Sequence, residues 1–136
     1  MTDIKEILSK NKIIAMIGVS KDLTKPSTIV MKYMQKYGYK VIPINPKAKG
    51  EKILGEKVFG KLDEIKTPID IVDVFRPSEE VIEIAKETVK VKAKVLWLQL
   101  GISSDEAKKI VETNNIEYIE NRCTKMEYQK IFLKVM

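Results

Sequence analysis

The chain has 136 residues, 44% of them hydrophobic and 32% charged, with 25 Lys and Arg against 19 Asp and Glu for a net charge of +6. That length fits one domain over 1–136 with its own core, and charges recur too often for a membrane-spanning run of about 20 apolar residues. The absence of histidine excludes histidine-based triads, phosphohistidine relays and imidazole metal sites, and the single Cys123 cannot build an internal disulfide and makes a poor zinc ligand set.

The positive balance favours a polyanionic ligand. Its lysines are nonetheless spread along every segment, as on a solvated surface, so neither nucleic acid nor a membrane is indicated. The start of the chain, Met1-Thr2-Asp3-Ile4-Lys5-Glu6, lacks the apolar run of a secretory signal, and the cytoplasm is the expected compartment.

In chain order, Asp3 with Glu6 caps a short packing helix to Lys10. The unbroken apolar run Ile13 to Ile17, ending at Gly18, reads as a strand buried on both faces. Pro26 opens a helix whose Ile29, Val30, Tyr33, Met34 and Tyr37 recur at helical spacing until Gly38. Tyr39 to Asn45 is a second strand stopped by Pro46, followed by a Gly- and Lys-rich stretch with a small strand element near Val58 and Phe59 and a helical turn at Asp63 to Ile65. Ile69 to Phe75 is a third buried strand and Ser78 to Lys90 a helix. Val95 to Leu100 is a fourth strand, running up to Gly101. Ser103 with Glu106 suggests a capping box for a helix to Asn114, Ile116 to Ile119 a last strand, and Thr124 with Glu127 a second capping box for a terminal helix. Strands that alternate with helices throughout predict an α/β fold: a Rossmann-like, doubly wound, mostly parallel sheet covered on both faces, with ligands at the carboxyl ends of its strands.

The unusual residues all follow strands. Gly18, Val19 and Ser20 open a loop running to Lys25, Pro26 and Ser27, where a glycine turn and a helix N-terminus suit a phosphate. Neither the G-x-G-x-x-G spacing nor a Walker A spacing is present, so the loop alone is equally a turn followed by a proline-started helix. After the second strand stand Asn45, Pro46 and Lys47. An NAD enzyme that reads the ribose places Asp or Glu there, which disfavours NAD, whereas Asn45 can bond a ribose or adenine edge and Lys47 or Lys49 a ribose phosphate. A plain turn with solvated lysines fits as well. Phe75 and Arg76 offer an aromatic body and a guanidinium for an adenine or pantetheine arm, or a core side chain beside a surface ion pair. Trp97 reads as core, with Gln99, Leu100 and Gly101 the nearer ligand candidates. Arg122 and Cys123 precede a helix, a setting that favours thiolate if Cys123 is not simply a buried, inert cysteine.

Six ordered blocks then carry a resemblance: Ile17-Gly18-Val19-Ser20, Lys25-Pro26-Ser27, Gly38 to Pro46, Asp70 to Arg76, Trp97-Leu98-Gln99-Leu100-Gly101 and Asn121-Arg122-Cys123. With these the chain resembles the CoA-binding family of small Rossmann-like proteins, related to the CoA-binding domain of the succinyl-CoA synthetase α subunit and of NDP-forming acyl-CoA ligases. The resemblance implies that the phosphates and adenosine of coenzyme A lie across Gly18 to Ser20, Lys25 to Ser27, Asn45 and Pro46. The pantetheine would pass Phe75, Arg76 and the Gln99 to Gly101 loop.

Synthetase catalysis uses a phosphorylated histidine and further domains, which this chain lacks. The expectation is therefore a module that binds coenzyme A or an acyl-CoA, non-catalytic or regulatory, with no catalytic residue and no metal. The rival readings are an NAD(P)-dependent oxidoreductase and a CoA-dependent transferase. A homo-oligomer or docking to a ligase subunit is a further expectation, as is a mixed disulfide between Cys123 and the CoA thiol.

Overall fold

The apolar runs form β1 (Ile13–Ile17), β5 (Ile71–Val74) and β6 (Val95–Leu98) at the centre of a five-stranded sheet in the computed structural model, which describes residues 3–134. The edges are β2 (Lys40–Ile44) and β7 (Glu117–Ile119), the order is β2-β1-β5-β6-β7, and every pairing is parallel. Parallel strands need covered crossovers. These are supplied by α2 (Pro26–Lys36), α3 (Val81–Lys90) and α4 (Asp105–Thr113), with α1 (Ile4–Lys10) and α5 (Thr124–Tyr128) at the two ends of the chain.

Side chains alternate across the sheet and build two cores. On one face Ala15, Ile42, Val72, Val74, Leu96 and Leu98 meet α3 and α4 through Ile84, Ala85 and Val111. On the other, Ile14, Met16, Val41, Val95 and Trp97 meet α1 and α2 through Leu8, Met31 and Met34. Trp97 is fully buried, as its place in the run implies. Each large aliphatic side chain so buried contributes about 1.5–3 kcal/mol, which is why apolar runs dictate the sheet.

Pro43 inside β2 marks an edge strand, because proline cannot donate to a ladder. The chain covers that edge itself: Phe59 N–H donates to Pro43 O at 3.0 Å, and Asn45 N–H to Phe59 O at 2.9 Å. The small strand element anticipated near Phe59 is this isolated bridge, lying just after a two-residue hairpin of β3 (Lys52–Ile53) and β4 (Glu56–Lys57).

Helix ends follow local chemistry. Asp3 accepts from Glu6 N–H at 3.2 Å. At the end of α2, Gly38 N–H bonds Gln35 O and Tyr39 N–H bonds Met34 O. With Gly38 at φ +94°, this is a Schellman stop that a residue with a Cβ would strain. Both capping boxes differ from the sequence reading. Ser104, not Ser103, caps α4 by accepting from Ala107 N–H. Thr124 is not a cap but the first residue of α5, its hydroxyl turned into the core, and α5 runs on as a π-helical turn over Gln129–Leu133.

Candidate functional site

The chain leaves β1 toward β2 on one side and returns to β5 on the other, so the loops after β1 and β5 diverge and open a crevice at the carboxyl ends of the strands. Its volume is about 710 Å³. Gly18, Ser20, Asn45, Pro46, Lys47 and Arg76, all anticipated, line it together.

Gly18 is fixed by packing before any ligand is considered. Its φ is +92°, and a Cβ there would stand 2.5 Å from Phe75 O and 3.0 Å from Arg76 Cδ. Its amide donates to Ile44 O at 2.9 Å, so that N–H ties the end of β1 to β2 and is not offered to an anion. The rest of the loop is likewise bonded to itself: Ser20 N–H to Ser27 Oγ, Asp22 N–H to Ser20 Oγ and Thr24 N–H to Asp22 Oδ1. Thr28 Oγ1 donates to the carbonyls of Ser20 and Asp22. Ser27 and Thr28, in the first turn of α2, carry amides that the helix cannot satisfy internally. Lys25 stands as the N-cap without a side-chain bond, and Pro26 takes the first helical position. Val19 turns into the core beside Met16 and Trp97.

Asn45 acts as a brace. Its Nδ2 donates to Val19 O at 2.9 Å and its Oδ1 accepts from Lys47 N–H at 3.0 Å, locking the first loop to the second.

Lys49, offered beside Lys47 for a phosphate, lines the crevice too, and its charged lining contains residues that sequence reasoning missed: Lys61, Glu64, Glu80 and Glu87. Arg76 forms a two-pronged pair with Glu80, Nε to Oε1 at 3.0 Å and Nη2 to Oε2 at 2.6 Å. That pairing raises the guanidinium pKa and lowers that of Glu80. Lys49 Nζ meets Glu64 at 2.9 Å. Glu64 lies below its ordinary pKa chiefly because it accepts from Gly60 N–H. Glu87 is pushed up by desolvation first and by Asp63 next. Lys47 and Lys61 make no ion pair among the described residues, which leaves two ammonium groups to meet a phosphate. The Lys47–Gly60 stretch was visibly lysine-rich, but only the fold shows which of its lysines turn inward.

The remaining anticipated residues lie outside this lining. Phe75 packs at the edge of the Trp97 core. Gln99 is buried: its Nε2 donates to Asp73 Oδ1 at 2.5 Å and to Thr124 Oγ1 at 3.1 Å, while Thr124 Oγ1 donates to Asp73 Oδ2 at 3.2 Å. Asp73 is completely buried, and desolvation pushes its carboxyl up to about 7 against the opposing pull of Gln99 and Thr124. Leu100 is exposed and Gly101 N–H is held by Asn121 Oδ1 at 2.7 Å. Arg122 gives its carbonyl to Trp97 Nε1 at 2.7 Å and its guanidinium to Glu127 at 3.5 Å. Cys123 is half-buried against the Trp97 core as the N-cap of α5. Among the described residues no group of three or more Cys, Asp or Glu could hold a metal ion, and no helix is long and apolar enough to cross a membrane.

Comparison with known proteins bears on the same region. The chain is 39% identical over 126 residues to the uncharacterized protein YneT of Bacillus subtilis (strain 168), covering 93% of this chain and 92% of that one. It is similar in structure to cell-free ID.343 from Thermus thermophilus, with a TM-score of 0.91 and 34% identity over 96% of this chain and all of that one. A dinucleotide forming acetyl-coenzyme A synthetase of Ca. Korarchaeum cryptofilum shares the fold at a TM-score of 0.70 and 22% identity, over 87% of this chain and 27% of that one. Residues 12–129, from the start of β1 to the end of α5, match the family model described as the CoA binding domain, and the chain belongs to that family.

Proposed function

We propose that this protein binds coenzyme A or an acyl-CoA in the crevice between the ends of β1 and β5, as a binding module without chemistry of its own, acting as one domain in the cytoplasm. The observation that carries the reading is the pair Lys47 and Lys61, two ammonium groups that make no close ion pair among the described residues, at the switch point of a sheet in a CoA binding domain chain. The polyphosphate of the ligand would draw on them and on the amide of Ser27 in the first turn of α2. Binding would also compete with Glu80 for Arg76 and with Glu64 for Lys49.

Titration calorimetry at near-physiological salt tests this. Saturable one-to-one binding of CoA is expected, weaker for dephospho-CoA and weaker still for NAD(H). Thermal protection follows the same order, since a ligand raises Tm according to its affinity for the folded chain. No saturable CoA binding, or stronger protection by NAD(H), would sink the reading, the second result in favour of an oxidoreductase.

A further inference from the structure

We infer that the groove on the outer face of α2 is a second binding site, for a single-chain amphipathic anion: an alkyl chain of medium length ending in a carboxylate or sulfate. The groove holds about 510 Å³, within the usual range of small-ligand clefts. It shares no lining residue with the β1/β5 crevice.

Its floor and walls are apolar except at Thr28: Ile29 and Tyr33 along α2, Leu23 from the preceding loop, and Leu54 from the turn between β3 and β4. Gln35 Nε2 donates to Leu54 O at 3.2 Å and pins that turn to the helix. Leu23 and Ile29 are two of the five exposed large hydrophobic residues among those described, and a third, Met126, follows directly after a residue of the rim. Such exposure on a lysine-rich surface marks a place where something apolar sits.

The rim is purely cationic. Lys32 and Lys36 rise from α2 and Lys125 from α5, and no carboxylate lines the groove. None of the three lysines makes an ion pair among the described residues. Lys125 Nζ lies over the Tyr33 ring at 5.3 Å and Lys36 Nζ over the Tyr37 ring at 5.4 Å. The β1/β5 crevice, by contrast, balances its cations with Glu64, Glu80 and Glu87. The Tyr33 hydroxyl is the one buried side-chain polar atom among the described residues with no hydrogen-bond partner, Tyr37 and Gln129 coming near it outside bonding geometry. A head-group oxygen admitted beside that ring would pair it.

An uncapped alkyl chain would gain from the floor, its anionic head from the rim, and neither half alone would suffice. A second copy of this chain is a poor occupant, because at +6 it brings like charge to a cationic rim. Walls from the Leu23 loop, the Leu54 turn and α5 suit a narrow flexible chain.

The probe is decanoate, kept well below micelle-forming concentrations and titrated by calorimetry into the full-length protein. Saturable one-to-one binding is expected, weakened by added salt. Octanoate should bind roughly fifteenfold more weakly, since each of the two missing methylenes is worth about fourfold in affinity. 1-Decanol should bind at least tenfold more weakly. The triple variant K32Q/K36Q/K125Q should lose at least tenfold, and Ile29→Asp should abolish binding, both with Tm and CoA binding unchanged. Non-saturable uptake, equal affinity for decanoate and decanol, an unaffected lysine triple variant, or retention by anionic vesicles without binding of monomeric decanoate would each overturn the site. Because CoA is titrated separately into the same variants, failure of the CoA reading leaves a distinct signature.

Discussion

Two regions at the carboxyl edge of the sheet have opposite characters. After β1 and β5 the loops diverge, and an open crevice carries Lys47, Lys49, Lys61 and Arg76 against three carboxylates. Between β5 and β7 the strand ends close over a buried carboxylate, and Asp73, Gln99 and Thr124 bond one another in a triangle beneath Arg122 and Cys123. Chain direction separates them: only at the β1/β5 junction does the order of strands reverse, so only there do successive loops diverge. Charges in the open region can exchange partners with a ligand, whereas the closed region holds polar groups whose loss would leave others unsatisfied.

The largest effect belongs to the junction itself. Gly18→Val sets a branched side chain against Phe75 O at a positive φ and should cost about 3 kcal/mol or more, combining backbone strain with a clash against main chain. Thermal melting should show Tm falling by roughly 10 °C. A fall of only a degree or two would mean that the strand ends give way, and that the crevice is not held by this close approach.

Next comes the closed region. Asp73→Ala strands the Gln99 amide and the Thr124 hydroxyl in the core and should cost about 2–3 kcal/mol. Asp73→Asn keeps an acceptor for Gln99 and differs in another way. The folded-state pKa of Asp73 is raised to about 7, so the folded chain holds this proton more tightly than the unfolded chain does. Its contribution is complete below pH 4, declines as pH rises, and is exhausted above about pH 7, by at most tenfold in the folding constant per unit. Asparagine cannot ionise. Tm of Asp73→Asn relative to the parent should therefore climb from about pH 4 to pH 7 and level off above, and a flat difference over that range would show that Asp73 titrates normally.

The contrast between the regions was only half legible in the sequence. Uninterrupted apolar runs gave the parallel strands, and Pro43 and Gly38 behave as their ring and missing Cβ require. Two polar residues, Asp73 and Gln99, did stand in or beside those runs. A carboxylate inside Ile71-Val72-Asp73-Val74 breaks the pattern of a strand buried on both faces, and that was the available signal for the buried triangle. Its partner Thr124 was hidden by a local alternative, since Thr124 with Glu127 reads as a capping box until tertiary contact turns the hydroxyl inward. Lys61 and Glu87 were hidden for a different reason: they reach the crevice from the residue before the 3-10 turn Leu62–Glu64 and from the second half of α3, and no strand-end rule points to either.

The open region should answer to charge alone. Lys47→Gln and Lys61→Gln are each expected to weaken CoA binding about tenfold, as loss of a charge-assisted contact does, while leaving Tm close to the parent value. The slope of affinity against salt should flatten with each. An unchanged affinity in the double variant would move the phosphates away from this crevice and toward the amides at the start of α2.

The smallest effect is also the one that separates exchange of partners from simple attraction. Glu80 now occupies both prongs of the Arg76 guanidinium at 45% and 46% side-chain exposure, a setting where solvent screens the pair and its loss leaves stability nearly untouched. If CoA takes Arg76 from Glu80, the existing pair is a competitor, and Glu80→Gln should raise CoA affinity two- to threefold by lowering the cost of release. If Glu80 instead holds the guanidinium in the pose that the ligand needs, the same variant should lower affinity. Calorimetry of Glu80→Gln beside Arg76→Gln distinguishes them: opposite signs mean exchange, and losses in both mean that the pair binds as a unit.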